Sequence, residues 1–246
     1  MIVLFFIYNI KQKWYNKHMS DIFERFRLMS GDEKLKNLQD KKVILFGVGG
    51  VGGYVAEMLV RSGISHLTIV DFDKVDITNI NRQIVALHST VGEYKVDVMK
   101  NRLLDINPDA KIVEHICKLD SETIANFDLQ VYDFVVDCID DVKAKQFLIK
   151  YCSAQKINII VSCGAGNRYK SIPNFEVVDI KKTSYDRLAK LIRKFCQTEK
   201  INKLVVAYTK EQPIKCNNNV IGSVAYYPAS MACAITSYVI NQLLEK

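Results

Sequence analysis

Glycines at 47, 49, 50, 52 and 53, directly behind the apolar run Val43–Phe46, mark the stretch of this chain best suited to chemistry. Glycine lets a backbone turn tightly and come close to a phosphate. The next helix takes its apolar side from Val55, Leu59 and Val60, and the amides at its start face the anion. A second apolar run, His66–Val70, delivers Asp71 about twenty residues beyond the turn, where an acid accepts hydrogen bonds from a ribose. A Gly-x-Gly-x-x-Gly turn alone also serves plain steric needs between a strand and a helix. The loop after the second run is more decisive, because Asp71, Asp73, Asp76, Asn79, Asn81, Arg82 and Gln83 crowd into it. A hydride-transfer site needs one carboxylate for the adenosine ribose and has no use for the rest. A site that cleaves ATP between its α and β phosphates needs cations and amides along the phosphate chain, with a carboxylate for magnesium.

Alternating strand and helix patterns place these residues. Short apolar runs at Val43–Phe46, His66–Val70, Lys111–Ile116, Asp133–Asp137, Asn158–Ser162, Phe175–Ile180 and Lys203–Tyr208 read as strands. Helices are expected over Asp21–Leu38, Val91–Ile106, Val142–Ala154, Asp186–Phe195 and Ala229–Leu244. The pattern is that of an α/β, Rossmann-like, doubly wound fold, with a mainly parallel sheet extended by additional strands in the C-terminal half. Ligands in such sheets lie beyond the carboxyl ends of the strands, so Asp140 reaches the same edge as the glycine turn and Asp71. An aspartate there also serves as a helix N-cap, a duty that Asp141 can take. Small residues recur at Gly164-Ala165-Gly166-Asn167, behind a further strand. Cys163 beside them has no histidine placed by sequence to activate it, and buried cysteine is usually inert packing. Further on, Leu188, Leu191, Ile192 and Phe195 set the apolar side of a helix whose Arg187, Lys190 and Lys194 share another side. That side is either an RNA contact or simply a solvated face.

GVGGVGG, DFDKVDITNINRQ, TVGEYKVDVM and DCIDDVKAK resemble the ubiquitin-activating-type (ThiF/MoeB/HesA-like) adenylating superfamily, whose members join a carboxylate to AMP. Within it the chain is most similar to the tRNA threonylcarbamoyladenosine dehydratases, over about residues 20 to 244. The resemblance implies ATP and Mg2+ as cofactors. It places Gly47, Gly49, Gly50, Gly52, Asp71, Asp73, Asn79, Arg82, Gln83 and Lys95 at the nucleotide, with Asn79, Arg82, Gln83 and Lys95 around the phosphate chain and Asp71 on the ribose. Asp140 becomes the magnesium carboxylate, and catalytic duty falls to Arg82, Lys95 and Asp140. An N-terminal arginine, Arg25 or Arg27, reaches across a homodimer to the partner's ATP. ERFRLMSG compresses the family's usual spacing there and leaves the choice between the two open. The SxGAGN segment is associated with a monovalent cation, Na+ or K+, near Gly164–Asn167. The segment from Asn174 to Lys194 resembles the part that sets the tRNA dehydratases apart. One departure is Arg187 in place of the family's proline, a change expected to bear on how that helix begins.

Over the whole chain, 246 residues of which 49% are hydrophobic supply a substantial core and exclude global disorder. A net charge of +7 suits a polyanionic partner and equally suits solubility. The seven cysteines contain no Cys-x-x-Cys, which argues against a structural zinc and for a reducing cytoplasm. Residues 1–18 read as an extension, disordered or unused, ahead of one adenylating domain over 19–246. That domain comprises a nucleotide-binding half (19–167) and a substrate and dimer half (168–246). Residues 1–10 are too short to span a bilayer, and their charges come after the apolar run where a signal peptide's would precede it. The function expected is adenylation of the carboxylate of threonylcarbamoyladenosine in tRNA, then cyclisation with net loss of water. The alternative is adenylation of the C-terminal glycine of a ubiquitin-like sulfur carrier, for which the usual zinc pairs are missing and Cys216 is the candidate thiol. A third reading is a non-catalytic nucleotide-binding module. The partners expected are tRNA, a second copy of the chain and a sulfur-transfer protein, with no membrane.

Overall fold

Strand β1 (Lys42–Phe46) buries every residue after its first, since both of its faces are covered by helices. The computed structural model describes residues 22–215 and 221–245, and the expectations for residues 1–18 and Cys216 lie outside them. From β1 the sheet grows in both directions. β2 (His66–Val70) and β4 (Phe134–Asp137) flank it, β3 (Lys111–His115) lies outside β2, and β5 (Ile159–Ser162), β7 (Val205–Tyr208) and β6 (Glu176–Asp179) come after β4, giving the order β3-β2-β1-β4-β5-β7-β6. All neighbours are parallel except β6, which runs antiparallel to β7 at the edge. The expected fold class is therefore present, and the added strands are β7 and the reversed β6.

Alternate residues of β1 sort the two faces. Val43 and Leu45 belong to a core shared with α2 (Asp32–Gln39), α3 (Gly52–Arg61), α4 (Lys95–Ile106) and α7 (Tyr226–Leu244). Ile44 and Phe46 face α5 (Val142–Gln155), and a further core joins β5 and β7 to α6 (Arg187–Thr198). Glu57 of α3, nearly buried, binds Arg61 one turn on at 2.7 Å and Arg102 of α4 at 2.5 Å, tying the first two crossover helices together.

Several elements differ from expectation for visible reasons. The helix expected over Asp21–Leu38 is two helices, α1 (Glu24–Ser30) and α2, broken at Gly31, where φ is +81°. α4 begins at Lys95 rather than Val91, because Gly92 holds φ +92° and its amide returns to the Val75 carbonyl at 2.9 Å. Leu191 is exposed beside Arg187, Lys190 and Lys194, and Ala189, Ile192 and Cys196 form the buried side of α6 instead. With Arg187 in the proline's place, α6 begins at Arg187 and is capped by Asp186, which accepts from the Ala189 amide at 2.7 Å. α7 starts at Tyr226 and takes Pro228 into its first turn, where a missing N–H costs nothing. No helix among the described residues is long and apolar enough to cross a membrane.

Candidate nucleotide-binding and adenylation site

Register brings the site together. Phe46 of β1 is level with Val70 of β2 and Asp137 of β4, so Gly47, Asp71 and Cys138 are each the first residue beyond three aligned strand ends. The Gly47 amide closes on the Val70 carbonyl at 2.8 Å and the Cys138 amide on the Phe46 carbonyl at 2.8 Å. Strand order reverses between β1 and β4, and the resulting crevice is where open α/β sheets take ligands.

The glycines have unequal reasons to be glycine. Gly47 holds φ +89°, and a Cβ on it would stand 2.7 Å from the Cys138 carbonyl; one on Gly52 would overlap the Gly47 carbonyl oxygen. Both are needed to fold the turn. A Cβ on Gly49 meets nothing within 4 Å, so the fold itself does not require glycine there. That open side is what close approach of a ligand predicts.

Asp71 straps the turn. Its carboxylate accepts the Val48 amide at 2.6 Å and the Asp73 amide at 2.8 Å. Burial nonetheless raises its pKa, outweighing those two amides and the charge of Lys95. Asp73 in turn pairs with the buried Lys95 at 2.7 Å and accepts the Lys95 amide on its carbonyl at 3.0 Å. Both ends of the loop that begins at Asp71 are thus fastened to each other.

Within that loop Asp76 and Asn79 form a capping box: Asp76 accepts from the Thr78 amide at 2.8 Å, and the Asn79 side chain accepts from the Asp76 amide at 3.1 Å. The Asn79 carbonyl then receives the amides of Arg82 at 3.0 Å and Gln83 at 2.9 Å. Arg82, half-buried, donates to the Thr78 carbonyl at 2.8 Å and the Asn81 side chain at 3.0 Å, which fixes its guanidinium in the loop. Buried Gln83 keeps its side-chain oxygen without a hydrogen-bond partner, an acceptor that a ligand hydroxyl or a water would complete.

Asp141 caps α5, accepting the Ala144 amide at 2.8 Å, so Asp140 beside it remains an exposed carboxylate. Asp137, immediately behind, is fully buried against Lys145 at 2.9 Å and accepts the Ile139 amide at 3.0 Å. Sequence reasoning missed this pair, and a lysine eight positions beyond an aspartate gives no helical or strand signal that could reveal it. Arg25 is exposed on α1, while Arg27 is engaged by Asp32 at 3.1 Å.

The loop after β5 is organised by a second missed residue. Buried Arg168 donates to the Gly164 carbonyl at 2.9 Å, the Gly166 carbonyl at 3.1 Å and the Glu211 carbonyl at 2.8 Å, and lies 3.4 Å from buried Asp186. Asp186 also receives the Gly164 amide at 3.0 Å. Cys163 is buried, a setting that drives its thiol pKa upward and suits packing; burial likewise pushes that of Cys138 up to about 12.

Fold and site together define a nucleotide-binding enzyme of the adenylating kind, and the chain belongs to the ThiF family, whose model matches residues 22–246. It is 42% identical over 200 residues to the tRNA threonylcarbamoyladenosine dehydratase of Bacillus subtilis (strain 168), spanning 80% of this chain and 78% of that protein. The crystal structure of the Escherichia coli tRNA N6-threonylcarbamoyladenosine dehydratase in complex with ATP superposes with a TM-score of 0.83 at 29% identity, covering 91% of this chain and 93% of that one. The molybdopterin-synthase adenylyltransferase of Haemophilus influenzae is 32% identical over 163 residues, 66% of this chain and 65% of that protein.

Proposed function

We propose that this chain is an ATP-dependent tRNA-modifying enzyme that adenylates the carboxylate of threonylcarbamoyladenosine beside the anticodon and cyclises it. A carboxylate resists attack because its oxygen is a hopeless leaving group. Attack of that oxygen on the α-phosphorus of ATP expels pyrophosphate and leaves an acyl adenylate. A nucleophile of the same modified base then attacks the acyl carbon, AMP departs with the carboxylate oxygen, and the net loss to the base is one water. The observation that carries the reading is the convergence at one crevice of the glycine turn, the Lys95–Asp73 pair, Arg82 and Asp140. Such a site stabilises charge on phosphates and acts without a covalent enzyme intermediate.

In this reading the turn amides from Gly49 to Gly52 bind the phosphates, those of Gly47, Val48 and Gly53 being taken by Val70, Asp71 and Gly49. Arg82 and Lys95 offset charge developing on them, Asn79 and Gln83 line the same chain, and Asp71 holds the ribose side. Asp140 would hold Mg2+, being a carboxylate left uncommitted by the cap that Asp141 provides, and the ion would supply charge neutralisation to the phosphates. A monovalent cation, Na+ or K+, would lie near Gly164–Asn167, where the Gly164 and Gly166 carbonyls each accept once from Arg168 and keep a second lone pair. Arg25, exposed on α1, is the arginine we assign to the partner's site in a homodimer, Arg27 being engaged at home by Asp32. Such an enzyme works in the cytoplasm, where its tRNA is.

Mass spectrometry of tRNA nucleosides after incubation with enzyme and ATP tests the reading. The threonylcarbamoyl base loses the mass of one water, and an unchanged base overturns it. The similarity to a molybdopterin-synthase adenylyltransferase favours one rival, activation of a small Gly-Gly-ending sulfur carrier, with or without a sulfur-transfer protein. Pyrophosphate exchange stimulated by such a carrier and not by modified tRNA would establish that rival.

A further inference from the structure

Three exposed tyrosines stand around the mouth of the nucleotide crevice, and adenylation of a carboxylate gives them no task. Tyr169, Tyr185 and Tyr226 are 53%, 63% and 47% exposed, where tyrosine rings ordinarily find cover. Their position is fixed by neighbours on both sides. Tyr226 lies between Ser223, whose carbonyl accepts from the Asn81 side chain at 2.9 Å, and Pro228, which packs against Gly50 of the turn. Its own hydroxyl donates to the Tyr169 carbonyl at 2.9 Å, joining the start of α7 to the loop after β5. Tyr185 precedes Asp186, which binds Gly164 and Arg168 of that same loop. All three rings therefore border one loop at the carboxyl edge of the sheet.

The platform is braced by hydrogen bonds. Tyr227 beside it is buried, its hydroxyl donating to the Glu211 carboxylate and lying near the Ser171 carbonyl, and the Asn167 amide is bonded to the Gly222 carbonyl at 2.7 Å. Tyr185 is held at φ +54°, a left-handed conformation that costs a non-glycine residue energy and is kept where surroundings impose it.

Exposed charge along the stretch that carries Tyr169 and Tyr185 is positive. Between residues 168 and 194 the exposed charges are Lys170, Lys181, Lys182, Arg187, Lys190 and Lys194. The acids nearby are engaged: Glu176 by Lys210 at 2.7 Å, Asp179 by the Lys181 amide at 2.9 Å, buried Asp186 by the cap and Arg168, and Glu211 by Ser171 and Tyr227. Protruding aromatic rings flanked by exposed Lys170 and Arg187 match unpaired RNA, whose bases stack on rings while its phosphates meet lysine and arginine.

We infer that Tyr169, Tyr185 and Tyr226 form a stacking platform for splayed bases of an RNA loop, with α6 leading the backbone away along Arg187 and Lys190. This rests on the tRNA reading, because it is the anticodon loop that must deliver a base into the adjacent crevice.

The test uses the full chain and a tRNA stem-loop carrying the threonylcarbamoyl base, with affinity read by fluorescence anisotropy. Calorimetry with ATP reports separately whether the crevice is intact. Tyr169→Ala, Tyr185→Ala and Tyr226→Ala are each expected to weaken RNA binding about tenfold, the size of one lost base stack, and the matching Tyr→Phe variants are expected to retain it. If wild type binds the stem-loop and the alanine variants bind equally well, the platform is refuted and the tRNA reading stands. Loss of binding accompanied by a changed oligomeric state in sedimentation would also refute it, by making these rings a contact between copies. If wild type binds no stem-loop at all, both the platform and the tRNA reading fall.

Discussion

The ammonium of Lys95 lies 2.7 Å from the carboxylate of Asp73, and of the two only the lysine is buried. A buried cation whose hydrogen-bonded carboxylate faces solvent is well placed to exchange that partner for a phosphate. Replacing Asp73 with Asn should therefore lower the melting temperature without nucleotide and enlarge the upward shift produced by ATP, since the phosphates then supply the missing charge. Thermal melts of both proteins with and without ATP decide it, and equal shifts would separate Lys95 from the nucleotide.

Removing the fixed cations tests catalysis directly. Lys95→Ala and Arg82→Ala should each lose about 3 kcal/mol of transition-state stabilisation, roughly a hundredfold in kcat/KM. Turnover like wild type in both variants would contradict their assignment to the phosphate chain.

Gly49 and Gly52 separate folding from binding. Gly52→Ala forces a methyl into the Gly47 carbonyl, so the turn must rearrange and soluble yield or melting temperature should fall. Gly49→Ala has open space around its methyl and should fold normally, so a weakened ATP affinity measured for it would come from the ligand itself. Unaltered affinity would move the phosphates away from this residue.

Asp137 and Lys145 are both fully buried, and burial raises the aspartate's pKa against the pull of the lysine. Lys145→Met leaves that carboxylate without its counter-charge and should cost about 3 to 5 kcal/mol of stability, whereas Asp137→Leu combined with Lys145→Met should recover most of it. Urea unfolding of the single and double variants measures the coupling.

Acid stability should carry the mark of Glu57. Burial pushes its carboxyl upward, but hydrogen bonds from Arg102 and Arg61 outweigh this and hold it below the ordinary glutamate value. A carboxyl depressed in the folded state stabilises above its unfolded pKa, about 4.3, and loses that contribution as pH falls through the folded value. The stability gap between wild type and Glu57→Gln should thus be constant near neutrality and close as pH drops below about 4. A gap that widens with acid would reverse the sign of the coupling.

The fold was legible because local pattern and tertiary demand agree: Val43–Phe46 and Phe134–Val136 are apolar throughout because both their faces are covered. The antiparallel turn of β6 was not, since Glu176–Asp179 alternates no differently from a parallel edge strand. At the site, glycine spacing and the acid at Asp71 announce a phosphate turn. What sequence withheld were long-range polar pairs, Lys145 with Asp137 and Arg168 with Asp186, whose meaning depends on burial. Leu191 failed for the opposite reason: its hydrophobicity suggested a core position, but it stands on the same side as Arg187 and Lys190.

α7 packs on α3, and its Pro228 stands 3.4 Å from where a Cβ on Gly50 would lie, so one wall of the crevice comes from a helix far downstream of the turn. During synthesis the turn emerges long before that helix. A chain cut short ahead of Tyr226 therefore lacks part of the surface that shapes the crevice.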